Sequence, residues 1–165
     1  MQIVDERTLK MANRILVLHG PNMNLLGDRD TVLYGFETIE EVNSSISAAA
    51  ADLGVETMIE QRNSEGELID LIHHHCTGDL SSPGKVQGLI INPAAYSHYS
   101  YAIRDALEVL TIPVVEVHMT NVVSRKDNFR HNLVTASVSK AVISGFGADS
   151  YILALSGMSK LLSST

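Results

Sequence analysis

Arg29 and Tyr34 stand five residues apart in HGPNMNLLGDRDTVLYG (His19 to Gly35), where a guanidinium could stabilise the tyrosine's phenolate and make it a base. A phenol ionises near pH 10, so a phenolate base near pH 7 needs a shift of about 3 units, or roughly 4 kcal/mol; one adjacent cation supplies about 1 to 3 units. The same spacing suits an exposed arginine and a tyrosine ring packed on a sheet edge, and spacing alone leaves both open. Glu116 and His118, in EVHMTN, are two apart, which on a strand puts both side chains on one face. A carboxylate that orients an imidazole and stabilises its protonated form makes a general acid, although such a pair is also simply a satisfied histidine at a strand end. Asn92 and His98 bracket NPAAYSH ahead of a helical stretch, whose free N–H groups would hold a carboxylate or need only an ordinary cap.

Other polar segments are less specific. Gly20, Pro21, Asn22 and Asn24 suit a tight turn. The segment around them is neither GxGxxG nor GxxxxGK[ST] and has no lysine to meet a phosphate, so a nucleotide pocket is a poor reading. His73, His74, His75 and Cys76 invite a metal, but consecutive helical residues point about 100° apart and cannot all face one ion. A solvated helix end with cations near its C-terminus is the expectation there, and no metal site is assigned. Arg125 and Arg130, in RKDNFR, close over an acidic ligand or form a solvated charge run.

These residues need a frame that brings them together. Short β-branched or apolar runs recur at Arg14 to Leu18, Val55 to Gln61, Val86 to Ile91, Val114 to His118 and Ala141 to Ser144. Between and after them, Thr38 to Leu53, Glu67 to His75, Tyr99 to Leu110 and Asp149 to Leu162 carry apolar residues at helical spacing. The first of these has a capping box of Thr38 with Glu41 and a stop at Gly54. The alternation predicts an α/β fold: a flavodoxin-like, doubly wound, five-stranded parallel sheet in the order 2-1-3-4-5 with helices on both faces. In that order strands one, three and four are neighbours, so the segments after them converge on one crevice at the carboxyl ends of the strands. Residues 1–13 read as an extension and residues 14–165 as one catalytic domain, with Thr77 to Gly84 a surface loop.

Composition limits the partners. The chain has 165 residues, 45% hydrophobic, enough for one domain with a sizeable core. Twelve Lys and Arg against 19 Asp and Glu give a net charge of −7, which disfavours general nucleic-acid binding. The apolar runs fall short of the roughly 20 residues that span a membrane, so no membrane partner is expected. The N-terminus has no continuous apolar h-region, and Cys76 is the only cysteine, so a reducing compartment, the cytoplasm, is the expectation.

The ordered segments HGPNMNLLGDRD…YG, INPAAYSHYS…IRDAL, PVVEVHMTN and FRH, spread from about Arg14 to Leu155, resemble those of the type II 3-dehydroquinate dehydratases. The resemblance implies that fold and elimination of water from 3-dehydroquinate through an enolate, with no metal or cofactor. It further implies Tyr34 as base, Arg29 as its stabilising cation, Asn22 as holder of a water near the enolate oxygen, and His118, oriented by Glu116, as acid. Asn92, His98, the backbone around Met119 and Thr120, and Arg130 would bind the carboxylate and ring hydroxyls. Asp105 would approach a neighbouring subunit's site within a homododecamer of four trimers. Against the usual pattern, Asp30 and Thr31 replace Glu-Pro, His19 stands where asparagine is frequent, Tyr99 replaces a smaller residue, and RKDNFR is one residue longer. None removes a named catalytic group, and ordering of the Arg29 to Tyr34 lid is expected to distinguish this chain. The absence of a lysine from every strand-end segment argues against an imine mechanism. Two other classes compete. A non-catalytic paralogue binding quinate-like acids would need neither Tyr34 nor His118. A flavin or phospho-receiver module would call for a Ser- and Thr-rich first loop or an acceptor Asp in place of Asn92.

Overall fold

The computed structural model describes residues 12–164. Of the expected extension, only the last two residues fall within this span. Five parallel strands, Arg14–His19 (β1), Glu56–Gln61 (β2), Gly88–Asn92 (β3), Val114–His118 (β4) and Ala141–Ser144 (β5), pair in the order β2-β1-β3-β4-β5. This is the flavodoxin-like order expected from the sequence.

Burial explains why the apolar runs become strands. β1, β3 and β4 lie inside the sheet, and alternate residues feed two separate cores, as a parallel sheet covered on both faces requires. Ile15, Val17, Ile90, Val115 and Val117 join the core under Ile39–Asp52 (α2) and Asp149–Ser163 (α5). Leu16, Leu18, Leu89, Ile91 and Val114 join the one under Glu65–Cys76 (α3) and Tyr101–Glu108 (α4). A further single-turn helix, Thr31–Tyr34 (α1), follows β1. Among the described residues no helix is long and apolar enough to cross a membrane.

The helix ends follow their local chemistry, with some differences from expectation. α2 carries the predicted capping box: Thr38 Oγ1 accepts from the Glu41 amide, and Glu41 accepts from the Thr38 amide at 2.8 Å. α3 starts earlier than expected because Ser64 caps it. α4 starts later than expected, since Ala94–His98 forms a 3₁₀ turn and Ser100 caps the helix through the Ile103 amide at 2.9 Å. The solvated-histidine expectation for the end of α3 fails at its last two positions. His75 is buried with Nδ1 on the Gly84 carbonyl at 2.7 Å, and Cys76 is buried, its thiol pushed up to about 12 by burial.

Register decides what the sheet presents at its carboxyl edge. His19 lies opposite Asn92 across β1 and β3, and His118 lies opposite Ser144 across β4 and β5. The turns beyond β1 and β3 press together: the Gly20 amide donates to the Asn92 carbonyl at 2.8 Å. A Cβ on Gly20 would sit 2.8 Å from the backbone of both Asn92 and Pro93, so only glycine fits. Gly20→Ala is therefore expected to destabilise the fold by about 1–3 kcal/mol, seen as a lower urea midpoint; an unchanged midpoint would show that the two turns part freely.

Candidate active site

One crevice at the carboxyl edge, about 190 Å³, is lined by residues from the segments after β1, β3 and β4. That volume is below the roughly 300–1,000 Å³ of drug-sized ligand pockets and suits a small molecule. Asn22, Arg29, Tyr34, Asn92, His98, His118, Met119, Thr120, Arg125 and Arg130 all line it. Three arginines around a small cavity make a local positive field within a chain of net charge −7, the polarity an acidic ligand needs.

The floor is built on β4. Glu116 and His118 share the face of Val114, as their spacing predicts, and Glu116 has no exposed surface. His118 Nε2 donates to Glu116 Oε1 at 2.7 Å, while Thr135 Oγ1 donates to Oε2 at 2.6 Å. With Nε2 committed to the carboxylate, the imidazole has Nδ1 left to serve the cavity that it lines. This is the geometry of an oriented acid. Thr135 carried no sequence signal, since it lies 19 residues from Glu116 in a segment without a motif.

The rim is built by two turns. Asn22 adopts the left-handed conformation (φ 64°), which asparagine tolerates, with its amide donating to Asn63 Oδ1 at 3.0 Å. Asn63 also accepts from Gln61 Nε2 at 3.0 Å, so the end of β2 props the turn after β1, a support the sequence reading missed. Arg29 donates from Nη1 to the Asn22 carbonyl at 3.2 Å, and its Nη2 lies a long 3.4 Å from the Tyr34 hydroxyl. Its guanidinium carbon sits 4.4 Å from the centre of the Tyr34 ring. The Tyr34 ring is half-buried against the core under α2 and α5 and also lines the cavity, so packing and access to the crevice coexist. Tyr34 closes α1 rather than standing on an irregular loop. Arg125, with its guanidinium 6.0 Å from the same ring and 3.5 Å from Thr120 Oγ1, is a second cation beside Tyr34.

The third wall comes from Ala94–His98. His98 donates from Nδ1 to the Asn132 carbonyl at 3.0 Å. Burial above all, with the nearby Arg130 charge, holds its imidazole below the ordinary range. A neutral ring with Nδ1–H bound leaves Nε2 as an acceptor, which suits a ligand hydroxyl better than a carboxylate. Arg130 lines the crevice while tied to Asp127 at 3.2 Å. Asp105 does not line it: it lies on α4, largely exposed and 3.2 Å from Arg104.

Beneath Asn92 lies a buried polar group that the sequence reading did not connect to the site. His19 meets Tyr151 and Asn43, each at 2.9 Å, and burial drops its pKa to about 4. The unfolded chain, with an imidazole near 6.5, binds a proton between pH 6.5 and 4 that the folded chain refuses, so stability falls as pH falls through that window. The loss is about 3 kcal/mol at most. The stability difference between the parent and His19→Gln, from urea unfolding, should shrink by that amount between pH 7 and pH 4; a constant difference would contradict a neutral buried His19.

Residues 13–159 match the family model described as Dehydroquinase class II. The chain is 48% identical over 149 residues to a 3-dehydroquinate dehydratase of Thermoanaerobacter pseudethanolicus, covering 90% of this chain and 95% of that one. It is 51% identical over 142 residues to one of Caldanaerobacter subterraneus subsp. tengcongensis, covering 86% and 90%. The fold superposes on the crystal structure of a type II dehydroquinase from Propionibacterium acnes with a TM-score of 0.81 at 35% identity, covering 91% of this chain and 98% of that one.

Proposed function

The chain belongs to the class II dehydroquinase family, and from that premise we propose that it is a hydro-lyase eliminating water from 3-dehydroquinate to give 3-dehydroshikimate in the shikimate pathway. The observation that carries the reading is the shared crevice: an oriented acid, His118 on Glu116, and a tyrosine flanked by cations, Tyr34 with Arg29, line the same small cavity.

Tyr34, as phenolate, takes the proton from the carbon beside the ketone, and the C–H electron pair becomes the enolate. The guanidinium of Arg29 holds the phenolate charge before that step. Asn22, which lines the cavity, positions a water at the enolate oxygen, a preorganised dipole where charge develops. Collapse of the enolate expels the hydroxyl, which leaves as water with the proton delivered by the imidazolium of His118. Glu116 keeps that ring in place and stabilises its charged form, and Thr135 holds the second carboxylate oxygen. The proton gained by Tyr34 returns through solvent to His118, so the protein ends as it began.

Binding follows the same division. Arg130, the Asn92 carboxamide and the backbone around Met119 and Thr120 hold the carboxylate and ring oxygens, and His98 Nε2 accepts from a ring hydroxyl. The assembly proposed is a homododecamer in the cytoplasm, in which Asp105, exposed and outside the lining of its own crevice, would act on a neighbouring copy. None of these steps calls on a metal or organic cofactor. The rival reading, a non-catalytic acid-binding paralogue, leaves the acid pair and Tyr34 without a task.

Mixing the protein with 3-dehydroquinate and following the conjugated enone in the ultraviolet tests the reading. Turnover is expected to survive a metal chelator and to fall by about 10²–10⁴ in Tyr34→Phe, the range for loss of a general base. Near-normal turnover in the variant would remove Tyr34 as the base; ligand-induced thermal stabilisation without any turnover in the parent would favour the binding paralogue. Thr135→Val should lower kcat by about tenfold while Thr135→Ser restores it, as loss and return of one charge-assisted hydrogen bond.

A further inference from the structure

His19 and Tyr151 are fully buried, lie on different elements and take no part in the steps above. Together with Asn43 and Asn92 they form one connected group: Asn92 Nδ2 to Tyr151 Oη at 3.0 Å, Tyr151 Oη to His19 Nδ1 at 2.9 Å, and His19 Nε2 to Asn43 Oδ1 at 2.9 Å. The direction of every bond follows from one backbone group. The Ala94 amide, which can only donate, faces Asn92 Oδ1 at 3.1 Å, so the carboxamide must turn its Nδ2 toward Tyr151. Tyr151 then accepts from Asn92 and has its single O–H left for His19 Nδ1. A neutral imidazole that accepts at Nδ1 carries its proton on Nε2, and that proton goes to Asn43 Oδ1.

The chain of donors therefore ends at the crevice with a defined polarity. One Nδ2 hydrogen of Asn92 is spent on Tyr151, and the second meets Met23 Sδ at 3.6 Å, a weak acceptor on the wall of the crevice that both residues line, from which a ligand oxygen can claim it. Ala94 holds its amide there at a positive φ of 52°, a conformation that a residue with a Cβ adopts only under constraint. A reversed relay would set the Ala94 N–H against an NH₂ group and leave buried donors facing each other.

We infer that His19 and Tyr151 are positioning residues that lock the Asn92 carboxamide with an N–H toward the crevice, selecting a ligand oxygen that accepts at that point. This rests on the dehydratase reading for the identity of the ligand, but the polarity of the relay does not. The relay acts on binding: a carboxamide free to turn presents its N–H only part of the time.

The test combines kinetics with a direct view of the ring. Tyr151→Phe, checked for an intact fold by circular dichroism, is expected to raise KM for 3-dehydroquinate roughly tenfold, the value of one charge-assisted hydrogen bond, with kcat changed less than about threefold. In an Asn92→Ala background the same substitution should raise KM no further, because both changes remove one contact. Equal KM increases in the two backgrounds, or a fall in kcat with KM unmoved, would show a structural role only and overturn the inference. Nitrogen NMR of histidine-labelled protein without ligand should find His19 neutral from pH 5 to 8, protonated at Nε2 and accepting at Nδ1. The opposite tautomer overturns the inference even in an active enzyme. Absence of turnover in the parent with the expected tautomer would instead overturn the dehydratase reading and leave the relay standing.

Discussion

A carboxylate removed from water must be matched donor by donor, and Glu116, with no exposed surface, is matched twice: by His118 on its own strand and by Thr135 from the segment that precedes β5. Removing one partner of such a buried pair commonly costs about 3–5 kcal/mol, so strand β4, the crossing chain and the imidazole form a unit that cannot relax separately. The arrangement needs an interior strand ending at the crevice, and β4, flanked by β3 and β5, is such a strand. It also needs Thr135 beside the strand; the Val134 amide bonds the Ser97 carbonyl at 2.8 Å, which ties that segment to the wall carrying His98. The proposed acid, its support and His98 are thus parts of one rigid floor.

The proposed base stands on different ground. Tyr34 ends a four-residue helix, far too short to hold itself, and its Arg29 partner reaches it through a stacking contact and a long hydrogen bond. Beside it Val32 is 99% exposed and Phe36 81% exposed, so the segment has little core of its own. A rigid proposed acid below a weakly anchored proposed base suits a reaction whose ligand must enter a small cavity, because a lid built this way could move without disturbing the floor. The same division places the electrostatics: three arginines gather above and beside a floor whose buried charge is already paired.

Much of this was legible in the sequence, and the reason is periodicity. Alternating apolar runs identified all five strands, and the order 2-1-3-4-5 then predicted the convergence of three polar segments on one crevice. The two-residue spacing of Glu116 and His118 predicted their contact because strands alternate faces. The supports were not legible. Thr135, Asn63, Tyr151 and Asn43 reach the site from 19 to 132 positions away in the pairs they join, and no local pattern marks such contacts. The helix expected from Tyr99 begins at Tyr101, because the 3₁₀ turn Ala94–His98 runs up to it and Ser100, a good cap, starts the real helix. At the end of α3 the histidine run suggested solvent, but the last turn faces the loop at Gly84 and takes His75 inward.

The central claim is that base and acid are separate groups on separate elements, so the two halves of the elimination can be uncoupled. His118→Gln keeps an N–H for Glu116 but has no proton to give a leaving hydroxyl. Incubated with 3-dehydroquinate in deuterium oxide and followed by proton NMR, this variant should exchange the hydrogen beside the ketone while forming no enone, and the further change Tyr34→Phe should abolish that exchange. Exchange that persists without Tyr34, or that is lost together with elimination in His118→Gln while the fold remains intact, would contradict the account.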